Sequence, residues 1–201
     1  MPANKAYVLG LTGGIGCGKT EAAKFLSSLG ATHIDADAIS RSLTAEGGEA
    51  LQEIRAQFGD EVFLEDGQLN RRALGDVVFH DAAAKRALEG IIHPLVQRKA
   101  MDEIEAAVEP VAVLDVPLLF ETGMDVLCDE CWTMSADVQV QLERVMERDG
   151  LSREQAQARI DCQMRMEERN ARADRVIESN RPIEKTRAEL KQLYQQLLRR
   201  I

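Results

Sequence analysis

The chain has 201 residues, of which 45% are hydrophobic and 29% charged, a composition typical of a soluble globular protein rather than a disordered one. Its net charge of −9 disfavours broad binding to nucleic acid, since such binding needs a net attraction to phosphate groups. No segment approaches the roughly 20 consecutive apolar residues of a membrane-spanning helix, and the apolar stretch near the start is shorter than the core of a signal peptide. We therefore expect one folded unit in the cytoplasm, with no nucleic acid and no membrane as its partner.

The first third of the chain predicts strands that alternate with helices. The apolar run Tyr7–Leu11 predicts a short buried strand, and Lys19–Leu29 predicts a helix that ends near Gly30. Thr32–Ile34 predicts a second strand, and Asp35 then opens another helical stretch.

The middle of the chain is predicted to be helical. Glu49–Phe58 and Asp81–His93 both show helical patterns. Pro94 suits the first turn of a separate helix, because its missing N–H is not needed there. This region is the best candidate for an insertion into a strand-and-helix core.

The last part returns to alternating elements. Val111–Asp115 is a continuous apolar run that predicts a central parallel strand, with a carboxylate emerging at the carboxyl edge of the sheet. Cys131–Met134 and Arg175–Glu178 predict further strands. A capping box at Ser152–Gln155 opens a long Arg-rich helix, and Ile183–Ile201 predicts a closing helix. The pattern indicates an α/β fold with a parallel sheet.

The strongest motif lies between the first strand and the first helix. Gly13–Thr20 matches the pattern Gly-x-x-x-x-Gly-Lys-[Ser/Thr] in full. Glycines let the backbone curl so that successive N–H groups point at phosphate oxygens, and the helix adds the positive end of its dipole. Lys19 would bridge the β- and γ-phosphates, and the Thr20 hydroxyl would ligate Mg²⁺. The motif predicts binding of a nucleoside triphosphate.

The cysteines suggest two hypotheses. Cys17 lies inside the phosphate loop beside a helix N-terminus and a lysine, which predicts a lowered thiol pKa and fast alkylation. Cys128 and Cys131 form a single Cys-x-x-Cys, which is compatible with a redox pair but more typical of small apolar residues that border a strand.

A kinase of small molecules needs further groups, and the sequence offers candidates. A carboxylate must orient the acceptor hydroxyl, and Asp37 is the candidate, although Asp35 or Asp37 could instead cap the following helix. Asp115 could be a Walker-B-like carboxylate or a turn aspartate before Pro117. Arg144 lies one turn from Arg148 on a predicted helix, so both guanidinium groups could approach one phosphate cluster. The chain lacks the Asn-Lys-x-Asp motif with which common GTPases read guanine.

Several segments together resemble the dephospho-coenzyme A kinase family over nearly the whole chain. The motifs that carry the resemblance are Gly10–Thr20, Asp35–Arg41, Leu69-Asn70-Arg71 with Val78-Phe79, Ile92–Val96, Asp115–Glu121, Gln141–Arg144 with Arg148, Gln163, and Ala173-Asp174 with Asn180. The usual family loop has Ser-Gly-Lys-Ser where this chain has Cys17-Gly-Lys-Thr20. Thr20 keeps the hydroxyl, and Cys17 contributes its backbone N–H as a serine would.

The resemblance implies a fold and a reaction. The fold would be a parallel five-stranded P-loop kinase core flanked by helices, with a helical substrate-binding insertion and a helical lid. Residues 1–201 would form one unit, with the core at about 1–40, 108–137 and 172–201, the insertion at about 41–107 and the lid at about 138–171. The reaction would move the γ-phosphoryl group of ATP to the ribose 3′-hydroxyl of dephospho-CoA, the last step of coenzyme A synthesis, by a monomer or weak homo-oligomer.

The resemblance also implies roles for individual residues. The catalytic residues would be Asp37 as the base, Lys19, and Arg144 as the lid arginine. The remaining assignments group by ligand: ATP would contact Gly14, Ile15, Gly16, Cys17, Gly18, Lys19, Thr20, Glu21 and Arg144; dephospho-CoA would contact Asp37, Arg71, His93, Arg98, Asp115 and Leu118; Mg²⁺ would contact Thr20. His93 could instead be a capping or core histidine, and Arg71 a solvated residue at a helix start.

Three other functions remain open from the sequence. One is another small-molecule kinase with the same core, such as a nucleoside monophosphate kinase or a shikimate kinase. The others are a nucleotide switch whose output is partner binding, and a binding module without catalysis. A binding module without catalysis would leave Asp37, Asp115 and Arg144 with no common role.

Overall fold

The computed structural model describes residues 6–201, and its central feature is a five-stranded parallel sheet in the order β2-β3-β1-β4-β5. The strands are β1 (Tyr7–Gly13), β2 (Thr32–Asp35), β3 (Val111–Asp115), β4 (Glu130–Ser135) and β5 (Arg175–Glu178). The five-stranded parallel α/β core expected from the sequence is therefore confirmed.

Nine α-helices connect or flank these strands in the described part of the chain. They are α1 (Lys19–Ser28), α2 (Ala36–Leu43), α3 (Leu51–Phe58), α4 (Arg71–His80), α5 (Ala82–Glu105), α6 (Val138–Asp149), α7 (Arg153–Asp161), α8 (Met166–Arg172) and α9 (Ile183–Leu198). Within residues 6–201, none of the helices combines the length and the apolar character that a bilayer crossing requires.

The chain divides into two compact units. One consists of the residues up to Ile34 together with Glu103–Ile201 and holds most of the sheet. The other, Asp35–Asp102, is helical and contains α2, α3, α4 and most of α5. The helical unit begins and ends a few residues earlier than the insertion of 41–107 expected from the sequence.

The core of the sheet unit lies on β1, which is paired on both sides and buried from Val8 onward. Both faces are covered because the parallel strands carry apolar residues on both sides. Leu9, Trp132 and Met134 pack against apolar residues of α1 and α9, including Leu26 and Tyr194. This packing fixes the strand ends and, with them, the loops that follow.

Two predicted helix boundaries are wrong. α5 runs without a break through Pro94, which was expected to start a new helix. The missing proline hydrogen bond costs helical stability, but Leu95, Val96 and Ala100 are all buried, and their burial keeps the helix continuous.

The long Arg-rich helix expected after Ser152 is instead divided into α7 and α8. The capping box at Ser152 forms as predicted. The helix ends at Asp161 because the following backbone and side chains bond to distant partners: Met164 N–H donates to Glu121, and the Gln163 amide accepts from Ile15.

Glu130, a buried carboxylate at the start of β4, binds Arg200 near the end of the chain. Glu130 is 7% exposed, and its oxygens accept hydrogen bonds from Trp132 Nε1 at 2.7 Å, from the Tyr7 hydroxyl at 3.3 Å and from Arg200. Arg175 lies 3.7 Å away. Burial alone raises the pKa of the Glu130 carboxyl, but the hydrogen bond from Trp132 and the interaction with Arg200 outweigh it, so the pKa is lowered.

Glu130→Gln is expected to lower the free energy of unfolding at pH 7 by about 1–3 kcal/mol, because the charge-assisted hydrogen bonds are lost. A lowered carboxyl pKa stabilises the fold above the ordinary Glu value of about 4.3, and this contribution is lost as pH falls through the folded-state value. Urea unfolding at pH 7 and at lower pH should therefore show that the free energies of unfolding of the variant and the wild type converge as Glu130 becomes protonated. Glu147 on α6 is exposed, and Glu147→Gln serves as the control. A loss of unfolding free energy in Glu130→Gln that stays constant with pH would contradict the stabilising role of the ionised Glu130.

Candidate functional site

The loop Gly13–Thr20 connects β1 to α1 by a path that requires glycine. Gly16 and Gly18 have φ values of +78° and +81°, in the left-handed region that side chains rarely adopt. A Cβ on Gly13 would lie 2.8 Å from the carbonyl oxygen of Met134, and one on Gly16 would lie 2.9 Å from that of Gln141. The loop therefore packs directly on the backbones of β4 and α6.

The N-terminus of α1 follows directly after this loop and has no side-chain cap. Its N-cap residue is Gly18, which has no side chain to accept a hydrogen bond from the first turn. Thr20 and Glu21 follow in that turn and are exposed. Uncapped N–H groups and the helix dipole together make a binding position for an anion.

Lys19 is held by a buried carboxylate at the end of the neighbouring strand. Its Nζ pairs with Asp115 Oδ1, and Asp115 is 4% exposed. His33 Nε2 lies 3.1 Å from the other oxygen, Oδ2. The register that pairs Leu11 with Asp115 brings the end of β3 beside the loop. Asp115 is thus part of an ion pair with the loop lysine, rather than a turn residue with no partner.

Arg144 on α6 also holds the loop through hydrogen bonds. Its Nη1 donates to the carbonyl of Gly16 and to Ser179 Oγ, both at 3.0 Å, and its Nη2 donates to the Ser179 carbonyl at 2.6 Å. The guanidinium therefore links the phosphate loop to the segment after β5.

Arg148 does not join Arg144, contrary to the prediction that both guanidinium groups would converge. Its Nε and Nη2 donate to the two oxygens of Asp149 at 2.7 and 2.9 Å. Asp149 also accepts from Arg159 at 2.8 Å. The two arginines lie one helical turn apart, but the guanidinium of Arg148 binds the neighbouring carboxylate of Asp149 and not the loop that Arg144 contacts.

A cavity of about 360 Å³ opens beside the start of α1. Its lining combines apolar side chains of α1 and α9 with charged ones and includes Gly18, Glu21, Arg144, Ser179, Arg181 and Arg187. Glu21 lies 3.5 Å from Arg187, and Arg181 pairs with Glu189. The volume falls in the range of small-ligand sites, and the cavity adjoins the predicted phosphate-binding residues.

The sequence did not assign roles to Ser179 or Gln163, which both contact the loop region. Gln163 Oε1 accepts a hydrogen bond from the backbone N–H of Ile15 at 2.8 Å across 148 positions in the chain. No periodicity or local spacing signals a contact between residues so far apart. The only available signal for Gln163 was its presence in the family pattern.

In the helical unit, the structure distinguishes the two neighbouring aspartates. Asp35 Oδ1 accepts from Ala38 N–H at 2.9 Å and is the N-cap of α2, with Arg41 3.5 Å from its other oxygen. Asp37 lies in the first turn of α2 and is exposed. The capping role therefore belongs to Asp35.

The predicted substrate residues of the helical unit do not all converge. Arg71 and His93 line one cavity of about 300 Å³. Arg71 Nη2 also donates to the Thr44 carbonyl at 3.2 Å. Arg98 lies outside this cavity lining and pairs with Glu49. In the sheet unit, Leu118 follows β3 and is 40% exposed.

The hypothesis of a reactive Cys17 is wrong. The residue is 1% exposed, and burial raises the pKa of its thiol, although the nearby Arg169 acts in the opposite direction. The loop wraps the side chain inward and leaves only its backbone near the hollow. Cys128 and Cys131 also pack inward, with Cys128 Sγ against Gly10 of β1.

Comparison with known proteins gives one consistent family. A model of the dephospho-CoA kinase family matches residues 7–185. The dephospho-CoA kinase of Moorella thermoacetica is 41% identical over 199 residues, covering 97% of this chain and 94% of that protein. Among solved structures, the Thermus thermophilus protein TT1252 aligns with a TM-score of 0.84 and 36% identity, covering 96% of this chain and 99% of that one. The dephospho-CoA kinase from Campylobacter jejuni aligns with a TM-score of 0.70 and 28% identity, covering 94% and 96%.

Cys162 is expected to react with iodoacetamide in the folded protein at least roughly 10-fold faster than Cys17, because alkylation requires an accessible thiolate. Cys162 is exposed, whereas Cys17 is buried. Peptide mass spectrometry over a time course gives the two rates, and urea-unfolded protein provides the control in which the rates should converge. Equal rates in the folded protein would show that the Cys17 side chain is not enclosed.

Proposed function

The chain belongs to the dephospho-CoA kinase family, and we infer from this membership that it transfers the γ-phosphoryl group of ATP to the ribose 3′-hydroxyl of dephospho-CoA. The products are coenzyme A and ADP, and the reaction is the last step of coenzyme A biosynthesis. The observation that carries the assignment is the match of residues 7–185 to the family model, in a chain whose loop Gly13–Thr20 holds Lys19 beside a buried carboxylate.

We propose that the backbone of residues 14–20 and the N-terminus of α1 bind the phosphates of ATP. The uncapped first turn of α1 supports this role. When ATP binds, Lys19 would lose part of its contact with Asp115 and bind the β- and γ-phosphates instead. Because the buried Asp115 pairs with Lys19, it keeps the ammonium group close to the loop and limits the reorganisation needed when phosphate arrives.

Arg144 is proposed to stabilise the charge that develops on the transferred phosphoryl group. Its hydrogen bonds to Gly16 and Ser179 support this role, because they fix the guanidinium against the phosphate loop before substrate binds. A donor that is already oriented costs little reorganisation during the reaction. The adjoining cavity of about 360 Å³ is the proposed space for the nucleoside of ATP.

Asp37 is proposed to orient the 3′-hydroxyl of dephospho-CoA and to accept its proton. Its exposure in the first turn of α2 supports the role, since Asp35 already provides the cap of that helix. The helical unit is proposed to bind dephospho-CoA through Arg71, His93 and Arg98, with Leu118 as an apolar contact. The helices of residues 138–171 are proposed to act as the lid.

Mg²⁺ fits the residues that are present. The ion usually keeps several waters and takes one or two protein oxygens together with substrate phosphates, and the exposed Thr20 hydroxyl supplies such an oxygen. When bound, Mg²⁺ would neutralise charge on the β- and γ-phosphates. We further propose that the enzyme acts in the cytoplasm as a monomer or weak homo-oligomer, without nucleic acid or membrane partners.

The purified protein is expected to convert dephospho-CoA to coenzyme A in the presence of ATP and Mg²⁺, with the product identified by its mass and its 3′-phosphate. AMP, CMP and shikimate are the matched acceptors for the alternative kinases. Phosphorylation of one of these acceptors without turnover of dephospho-CoA would replace the proposed function with that of another kinase.

Asp37→Asn is expected to lower kcat by roughly 10²–10⁴-fold while the KM for ATP changes little, because the proposed contact that it removes belongs to the reacting hydroxyl and not to ATP. Asp35→Ala is the control: loss of the N-cap should cost about 1 kcal/mol of stability and leave kcat near that of the wild type. Steady-state kinetics and thermal unfolding measure both variants. A wild-type kcat in Asp37→Asn would remove the residue from the catalytic set.

A further inference from the structure

Arg169 on α8 is a buried arginine with very few partners. The residue is 3% exposed, and its Nη2 donates to the Met164 carbonyl at 2.7 Å. Its Nε is shielded from solvent and has no hydrogen-bond partner among residues 6–201. A guanidinium group has five N–H donors, and of these the Nε–H of Arg169 is buried without a partner among the described residues.

No carboxylate forms an ion pair with Arg169 within the part of the chain that the structure describes. Other arginines on the same and the preceding helix are paired: Arg172 lies 3.5 Å from Asp125, and Arg159 lies 2.8 Å from Asp149. A buried, unpaired charge costs several kcal/mol, and arginine does not escape this cost by losing its proton. Arg169 therefore carries a permanent positive charge at a largely buried position of the sheet unit, on the lining of a cavity of about 300 Å³.

This charge lies against the phosphate loop. A Cβ on Gly14 would be 3.0 Å from Arg169 Nη1, so the guanidinium touches the second glycine of the loop. Arg169 also acts electrostatically on the thiol of Cys17, three residues further along the same loop. Arg169 thus lies against the loop at Gly14 and close to Cys17.

We propose that Arg169 is a positioning residue of the phosphate loop, whose unpaired charge acts through the backbone of Gly14–Cys17 and whose negative counter-charge is the polyphosphate of the bound nucleotide. The inference rests on the proposed function, since it requires ATP in this loop. Low polarity around a buried charge strengthens its interaction with a second charge across the loop. The stabilisation grows with the number of phosphates on the ligand.

The test compares nucleotides that differ in phosphate number. Isothermal titration calorimetry with ATP, ADP and adenosine is carried out on the wild type and on Arg169→Gln, which keeps a polar amide but has no charge. We expect ATP binding to weaken by roughly 10- to 100-fold, ADP binding by less, and adenosine binding by under about threefold.

Arg172→Met is the matched control, because it removes one positive charge from the exposed end of the same helix. It should leave the ratio of ATP to adenosine affinity unchanged. Equal losses for ATP and adenosine in Arg169→Gln would overturn the proposal. If Arg169→Gln does not fold, Arg169→Met with the same ligands takes its place. A wild type that binds no ATP would instead refute the proposed function, on which this inference depends.

Discussion

The close approach of the loop Gly13–Thr20 to its neighbours is the constraint on which the site depends. The loop touches the Met134 backbone of β4 and the Gln141 backbone of α6, and a single Cβ at Gly13 or Gly16 would come within 3 Å of these carbonyl oxygens. Because β1 is paired on both sides and buried, its end cannot shift to relieve such a clash. The loop is therefore fixed by its packing on β4 and α6 together with its hydrogen bonds to Arg144 and Gln163.

Three cations surround this loop, and each is held in a different way. Lys19 pairs with the buried Asp115, Arg144 donates to backbone and hydroxyl oxygens, and Arg169 is enclosed without a carboxylate partner among the described residues. Only the first of these cations is neutralised by a nearby charge. The other two have no carboxylate within ion-pair distance among residues 6–201, in a chain whose overall charge is −9, and unpaired cations favour a local site for a polyanion over general attraction to the surface.

The connection after α7 shows how the loop and the helices of residues 138–172 support one another. The chain leaves its helical path after Asp161, and Gln163 then accepts a hydrogen bond from Ile15 N–H while Met164 binds Glu121 and Arg169. These bonds replace those that a continuous helix would have made. Because the helix ends at Asp161, the side chain of Gln163 is able to bind the backbone of the phosphate loop.

The sequence by itself determined the strands, the phosphate loop, the capping box at Ser152 and the family, because each depends on periodicity or spacing within a short stretch of chain. Only the tertiary structure decided that α5 continues through Pro94, that Asp35 caps α2, that Arg148 turns to Asp149 and that Cys17 is buried. It also decided the contacts of Gln163 and Arg169 with the loop, which join residues about 150 positions apart. Burial and long-range partners are properties of the folded chain, so no local pattern of residues contains them.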